Sequence, residues 1–221
     1  MGLVAKAFQD IITFSRATAG TYVNSNGYIT NSSVLNYLTY SNAPDNAAWT
    51  KSNSFVQTNV LTYSQEFNNI IWGPSGVSTP TANTTIAPDG TLTADTVTAT
   101  ASTAPHLVTQ TTAGLTGTPI TMSVYAKAGT HNFLQIFHGA LATNYANFNI
   151  STGVVGTVGA GFTSASMVSV GNGWFRCIVT LTPTATSNVR FALVTSNTAV
   201  YNESWAAAGT ESVYLWGAQC V

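Results

Sequence analysis

The sequence predicts an all-β protein, an antiparallel jelly-roll β-sandwich preceded by an extended N-terminal arm. Three observations predict it. From about Leu92 onward apolar and polar residues alternate along short segments, and a period of two buries one face of a strand. Turn chemistry recurs every 8 to 15 residues, the spacing of a sandwich or barrel. No long stretch carries the 3.6-residue apolar period of packed helices, and only Val4 to Ile12 could form a short one.

Residues 1–35 read as an attachment arm. Leu3, Val4, Phe8, Ile11, Ile12 and Phe14 are apolar in a segment too short to build a core, so they need cover, and a partner is the expected cover. Residues 36–85 contain a segment written twice. Leu38-Thr39-Tyr40-Ser41, then Asn46 and Trp49, recurs 23 residues later as Leu61-Thr62-Tyr63-Ser64, then Asn69 and Trp72; eight of 23 aligned positions are identical. Two copies are too few for a solenoid, which needs about three or more. They read as a duplicated strand-plus-turn element whose Trp anchors it to the sandwich more readily than it stacks on sugar.

Residues 86–221 read as the sandwich. Ala87-Pro88-Asp89-Gly90 is tight-turn chemistry, with Pro fixing φ and Gly tolerating a positive φ. Strands follow at Leu92–Thr98, Ile120–Ala126, Phe133–His138, Tyr145–Ile150, Met167–Val170, Trp174–Leu181, Val189–Val194 and Val213–Ala218. Between them lie turns such as Ala128–Asn132, Ser151–Gly153, Gly171–Gly173 and Thr182–Thr184. Along Trp174–Leu181, alternation places Phe175, Cys177 and Val179 toward the core. Trp174 and Arg176 then share the outer face near the sheet's edge, where the indole can cover the arginine or accept it in a cation–π contact.

Charged residues are only 6% of the chain, against roughly 25% in ordinary soluble domains, and the net charge is −1. Arg16, Arg176, Arg190, Lys6, Lys51 and Lys127 are scattered singly, so the basic footprint that nucleic acid requires is missing. Low net charge also favours self-association. No run approaches the roughly 20 apolar residues of a membrane span, and the opening residues lack a signal-peptide pattern, so synthesis in a cytoplasm is expected. Cys177 and Cys220 read as buried thiols, or as a pair if their strands are neighbours.

No catalytic residues, metal ligands or cofactor motif stand out. Glycoside hydrolysis needs two carboxyl groups across one bond, and the nearest candidates, Glu203 with Glu211 and Asp89 with Asp95, read as isolated turn acids. Asp10, Asp45, Asp89, Asp95, Glu66, Glu203 and Glu211 are too sparse for a calcium cage of carboxylates, although backbone carbonyls could hold a structural ion. His106, His131 and His138 lack metal-ligand spacing. Aromatic residues offer more, since Trp and Tyr rings stack on sugar C–H faces while amides bond hydroxyls. Trp174 and Trp216 sit in strand patterns and read as core. Trp205, with Tyr201 and Asn202 in the loop-like Tyr201–Trp205, is the candidate glycan contact.

Several segments carry a family resemblance. Phe14-Ser15-Arg16-Ala17-Thr18-Ala19-Gly20-Thr21-Tyr22 through Ile29 resembles an opening segment of phage tail-fibre and head-fibre proteins, and Thr58–Trp72 with Ala87–Asp95 resembles the segment that follows it there. Ser123–Gly129, Gly173-Trp174-Phe175-Arg176-Cys177 and Val213–Gln219 are similar to strands of the phage head-spike-fibre domain, whose fold is related to jelly-roll carbohydrate-binding modules. The resemblance implies a non-enzymatic virion structural protein, made in the host cytoplasm. A head decoration or head fibre on the capsid surface is the expectation, with capsid or other virion proteins as partners and a homotrimer or a regular array on the shell as the assembly. The alternative is a tail fibre or adhesin that binds host-surface glycan.

Overall fold

Between Ala94 and Cys220 eight strands turn inward side chains with almost no solvent exposure, most of them apolar, and these inner faces define two sheets facing one another. The computed structural model describes residues 20–23, 29–32, 58–112, 115–139 and 141–221. The chain divides into two units, Met1–Val56 and Gln57–Val221. In the first, β1 (Gly20–Val23) and β2 (Ile29–Ser32) pair as an antiparallel hairpin. The arm residues Leu3, Val4, Phe8, Ile11, Ile12 and Phe14, the helix expected over Val4 to Ile12, and Trp49 lie outside the described residues.

The second unit contains β3 (Gly73–Ser75), β4 (Thr81–Thr85), β5 (Ala94–Thr98), β6 (Thr103–Ala104), β7 (His106–Thr112), β8 (Ile120–Ala128) and β9 (Phe133–His138). It continues with β10 (Tyr145–Asn149), β11 (Val154–Val158), β12 (Ser164–Gly171), β13 (Trp174–Leu181), β14 (Ser187–Leu193), β15 (Trp205–Ala206) and β16 (Ser212–Cys220). One sheet has the order β11-β10-β9-β14-β7-β3 and the other β12-β13-β8-β16-β5-β4, and β6 pairs with β15. The pairings are antiparallel throughout. The central quartets β10-β9-β14-β7 and β13-β8-β16-β5 are the two halves of a jelly roll, so the topology itself establishes the predicted fold class. No helix occurs among the described residues.

The core follows from period two. Met122, Val124 and Ala126 of β8 and Cys177 and Val179 of β13 meet Ile136 of β9, Phe148 of β10 and Phe191 of β14, all fully buried. Both thiols are free and buried; burial pushes Cys177 far above an ordinary thiol and Cys220 up to about 12, so neither is reactive.

The second copy of the duplicated element is part of this core. Trp72 is 1% exposed, its ring centroid lies 4.8 Å from that of Phe67 and 5.7 Å from that of Phe191, and its indole N–H donates to the Tyr63 carbonyl at 3.0 Å. Anchoring is therefore the role of Trp72. Asn59 fastens the segment to β16, donating to the Ala218 carbonyl at 3.1 Å and accepting from the Cys220 N–H at 2.8 Å. Asp95, nearly buried beneath the segment, accepts backbone N–H from Asn83 and Asn68. Burial raises its pKa, and those two donors oppose the rise.

Two expectations along β13 need correction. Trp174 lies on the outer face, but segment 86–94 covers it: the indole N–H donates to the Ile86 carbonyl at 3.0 Å and the ring is 1% exposed. It does not reach Arg176, whose guanidinium lies instead over Tyr125, 5.7 Å from the ring centroid. Phe175 faces inward yet is only half-buried, its ring lying against Gly153 in the turn after β10. The alternation was right; position along the strand decided burial.

Candidate functional site

Of the candidate glycan contacts, Tyr201 and Asn202 sit at the outer face of the β10-β9-β14-β7 sheet, whereas Trp205 packs against the core between the sheets. Gln135 of β9 and Asn147 of β10 point outward yet are fully buried, because residues 197–202 lie over them. Asn147 donates to the Ala199 carbonyl at 2.7 Å; Gln135 donates to the Val200 carbonyl at 3.0 Å and accepts from the Asn202 N–H at 2.8 Å. Glu203 closes the loop by accepting from the Thr195 N–H and hydroxyl at 2.7 and 2.8 Å. Tyr201 donates its hydroxyl to the Gly139 carbonyl at 2.6 Å and packs edge-on against Phe137, while Arg190 bonds the same carbonyl at 3.0 Å.

Asn202, at φ 50°, leaves its Oδ1 buried without a partner. Trp205 donates its indole N–H to the Leu193 carbonyl at 3.0 Å and stacks on His131, with centroids 5.4 Å apart and planes 11° apart. His106 meets the edge of the same indole. The structure thus brings Tyr201 and Asn202 together but gives Trp205 a separate packing role beneath the neighbouring histidines.

A second surface, absent from the sequence candidates, crosses three central strands of the other sheet. Tyr125 of β8 is registered opposite Arg176 of β13 on one side and opposite Trp216 of β16 on the other. The Tyr125 and Trp216 rings meet at 62° with centroids 5.3 Å apart; all three side chains are half-buried, and the two rings pack on one side against the buried cluster of Ala87, Ala94 and Trp174. Trp216 is held by an indole N–H to Thr93 Oγ1 bond of 3.0 Å. Arg176 is oriented by Ser123 Oγ, at 3.3 Å from Nε and 3.1 Å from Nη2, and by Gln219 Oε1 at 2.8 Å from Nη2. The result is a row of two rings, a guanidinium and an amide on strands of a rigid sheet.

A bulge builds this row. The register between β16 and β8 shifts between Trp216 and Gln219, which turns both outward while Ala218 and Cys220 point into the core. Gly217 makes the bulge possible at φ 61°, and a Cβ there would stand 3.1 Å from Tyr125 Cδ2, so the tyrosine ring rests directly on the glycine backbone. Strict alternation puts Gln219 on the inner face, which is why it escaped the sequence reading. A glycine within an aromatic strand was the available signal.

The acids are occupied elsewhere. Asp89 caps the expected turn, accepting from the Thr91 N–H at 2.9 Å and hydroxyl at 2.7 Å, and those bonds hold its pKa below the ordinary value. Glu211 accepts the N–H groups of Ala208, Gly209 and Thr210, with the same effect. No group of three His, Cys, Asp or Glu that could hold a metal occurs among the described residues. A shallow depression lined by Val60, Thr62, Ile71, Gln110 and Thr111 holds one buried amide, and Thr62 already satisfies it.

No protein-family model matches the chain, and no curated protein sequence matches it. Among solved structures, the chain is similar to the enzymatically active domain of bacteriophage CBA120 tailspike protein 4. Identity is 15% and the TM-score 0.44, with 73% of this chain and 21% of that chain covered. It is also similar to the mannan-recognising carbohydrate-binding module TmCBM27, at 11% identity and a TM-score of 0.33, covering 74% of this chain and 93% of that chain.

Proposed function

We propose that the sandwich is a glycan-binding module of a phage host-attachment protein and that sugar stacks on the Tyr125–Trp216 row. The observation that supports this most is the row itself: two aromatic rings, half-buried and side by side on adjacent strands, with Arg176 and Gln219 held beside them by hydrogen bonds. Ring faces complement the apolar C–H face of a pyranose, and fixed polar groups select its orientation. The phage assignment is supported by the segments that resemble tail-fibre and head-fibre proteins.

Binding without cleavage is the second part of the proposal. Asp89, Glu203 and Glu211 each hold a turn, and Asp95 is buried under the duplicated segment, which leaves these four without the free facing pair that glycoside hydrolysis uses. A glycan array read together with a reducing-sugar assay tests both parts. Retention of one glycan class with no new reducing ends is expected; release of reducing ends would overturn the non-catalytic reading, and an array with no retained glycan would overturn the module itself.

Attachment to the particle, on the capsid surface or the tail, is assigned to the arm 1–35 and to a homotrimeric assembly. The arm rests on its apolar residues Leu3, Val4, Phe8, Ile11, Ile12 and Phe14, which need cover, and the trimer on the segment resemblance and the low charge. Deleting residues 1–13 should abolish incorporation into particles while the sandwich still folds, and unchanged incorporation would refute the role of the arm.

A further inference from the structure

Resting on the sugar-stacking reading of the Tyr125–Trp216 row, we infer that its ligand carries a carboxylate: the module recognises a hexuronic-acid residue of an acidic polysaccharide. Residues 57–221 contain three basic side chains, Lys127, Arg176 and Arg190. Two of them share this face. Arg176 is directly opposite Tyr125 in the strand register, and Lys127 follows Tyr125 by two residues on the same strand, so the pleat points it outward too. The Lys127 stem lies alongside Gly173, whose Cβ position would be 3.5 Å from Lys127 Cε, and the register pairs Lys127 with Trp174, two residues before Arg176 on β13. Both cations are therefore on the face that carries the ring row.

Neither Arg176 partner is an acid. Ser123 Oγ and Gln219 Oε1 take Nε and Nη2, and Nη1 carries no protein hydrogen bond among the described residues. Because Gln219 turns its oxygen to the guanidinium, its amide nitrogen is left as a donor, with its orientation assigned by that contact. Arg176 Nη1, the Gln219 amide and the Tyr125 hydroxyl form a set rich in donors beside two stacking rings, with Lys127 two residues along β8 on the same face. A neutral sugar offers hydroxyls that both give and accept; a uronate offers a planar, acceptor-only group whose oxygens take the free Arg176 Nη1 and the neighbouring Gln219 amide donor in charge-assisted hydrogen bonds. In a chain with 6% charged residues, two cations on one aromatic face select the second.

The test uses the full chain and two matched polymer sets: polygalacturonate, alginate and hyaluronate, and the same polymers with their carboxyl groups reduced to alcohols. The expected result is binding to at least one acidic polymer. Carboxyl reduction, or the Arg176→Gln/Lys127→Gln variant, should weaken it about tenfold or more. Arg176→Lys with Lys127 intact should recover part of the loss, and thermal unfolding verifies that each variant folds; if the double variant does not, Lys127→Gln alone carries the test. Equal affinity for the acidic and reduced forms, unchanged in the charge variants and lost in Trp216→Ala, overturns the uronate inference and leaves the stacking reading standing. Failure to bind any polymer in either set overturns the uronate inference, and an empty glycan array then removes the stacking reading with it.

Discussion

The two outer faces of the sandwich carry similar aromatic material and use it differently. On the β10-β9-β14-β7 face, Phe137, Tyr145 and Tyr201 cluster beside Arg190, but loop 195–203 lies over the adjoining strands, tied down by the buried amides of Gln135 and Asn147. The Tyr201 hydroxyl and the Arg190 Nη1 both end on the Gly139 carbonyl. On the β13-β8-β16 face, Tyr125, Trp216 and Arg176 form a row that stays partly exposed. The difference is one of cover: on the first face a loop is tied across the buried amides beside the cluster, and on the second the polar groups beside the rings are reached by solvent.

The largest expected effect tests what the faces share. Trp72→Ala empties a site that closes the core, and should cost about 3 to 5 kcal/mol in chemical or thermal denaturation, weakening both faces together. A loss below 1 kcal/mol would mean that the second repeat copy is not an integral part of the sandwich.

Gln135→Ala separates the faces. It strips the loop of a donor and an acceptor, leaving buried backbone groups unsatisfied, at about 1 to 3 kcal/mol each. Hydrogen exchange should then quicken over 195–203 while glycan affinity is unchanged. Loss of glycan binding at full folding would move the site to the closed face.

A smaller effect is expected on the open face. Gly217→Ala forces a residue with a side chain to φ 61° and against the Tyr125 ring, costing about 1 to 2 kcal/mol. Its affinity should fall more than its melting temperature indicates, because the ring that it displaces belongs to the row. Wild-type affinity in a folded Gly217→Ala protein would show that the position of Tyr125 is immaterial.

Much of the fold was legible because period two survives wherever a strand has one buried face. β9 and β13 coincide with the alternating segments, and Ile120–Ala126 and Val213–Ala218 lie within β8 and β16. The turns at Asp89-Gly90 and Gly171-Asn172-Gly173 appear as read, with positive φ at Gly90 and at all three residues of the second. β7 was missed because His106, Gln110 and Thr112 interrupt its apolar positions while being buried themselves. The open face was missed for another reason: Arg176, Tyr125 and Trp216 are far apart in the chain, and alternation gives a strand's faces without giving its neighbours. The bulge at Gly217 then reversed the parity on which Gln219 would have been judged.

The most direct measurement compares Trp216→Ala with Tyr201→Ala by titration calorimetry against one glycan retained by the wild-type protein, with thermal unfolding run in parallel. Placing the site on the open face predicts that Trp216→Ala loses about tenfold or more in affinity while Tyr201→Ala binds as the wild type does. The reverse, affinity lost in a folded Tyr201→Ala protein and kept in Trp216→Ala, would contradict it.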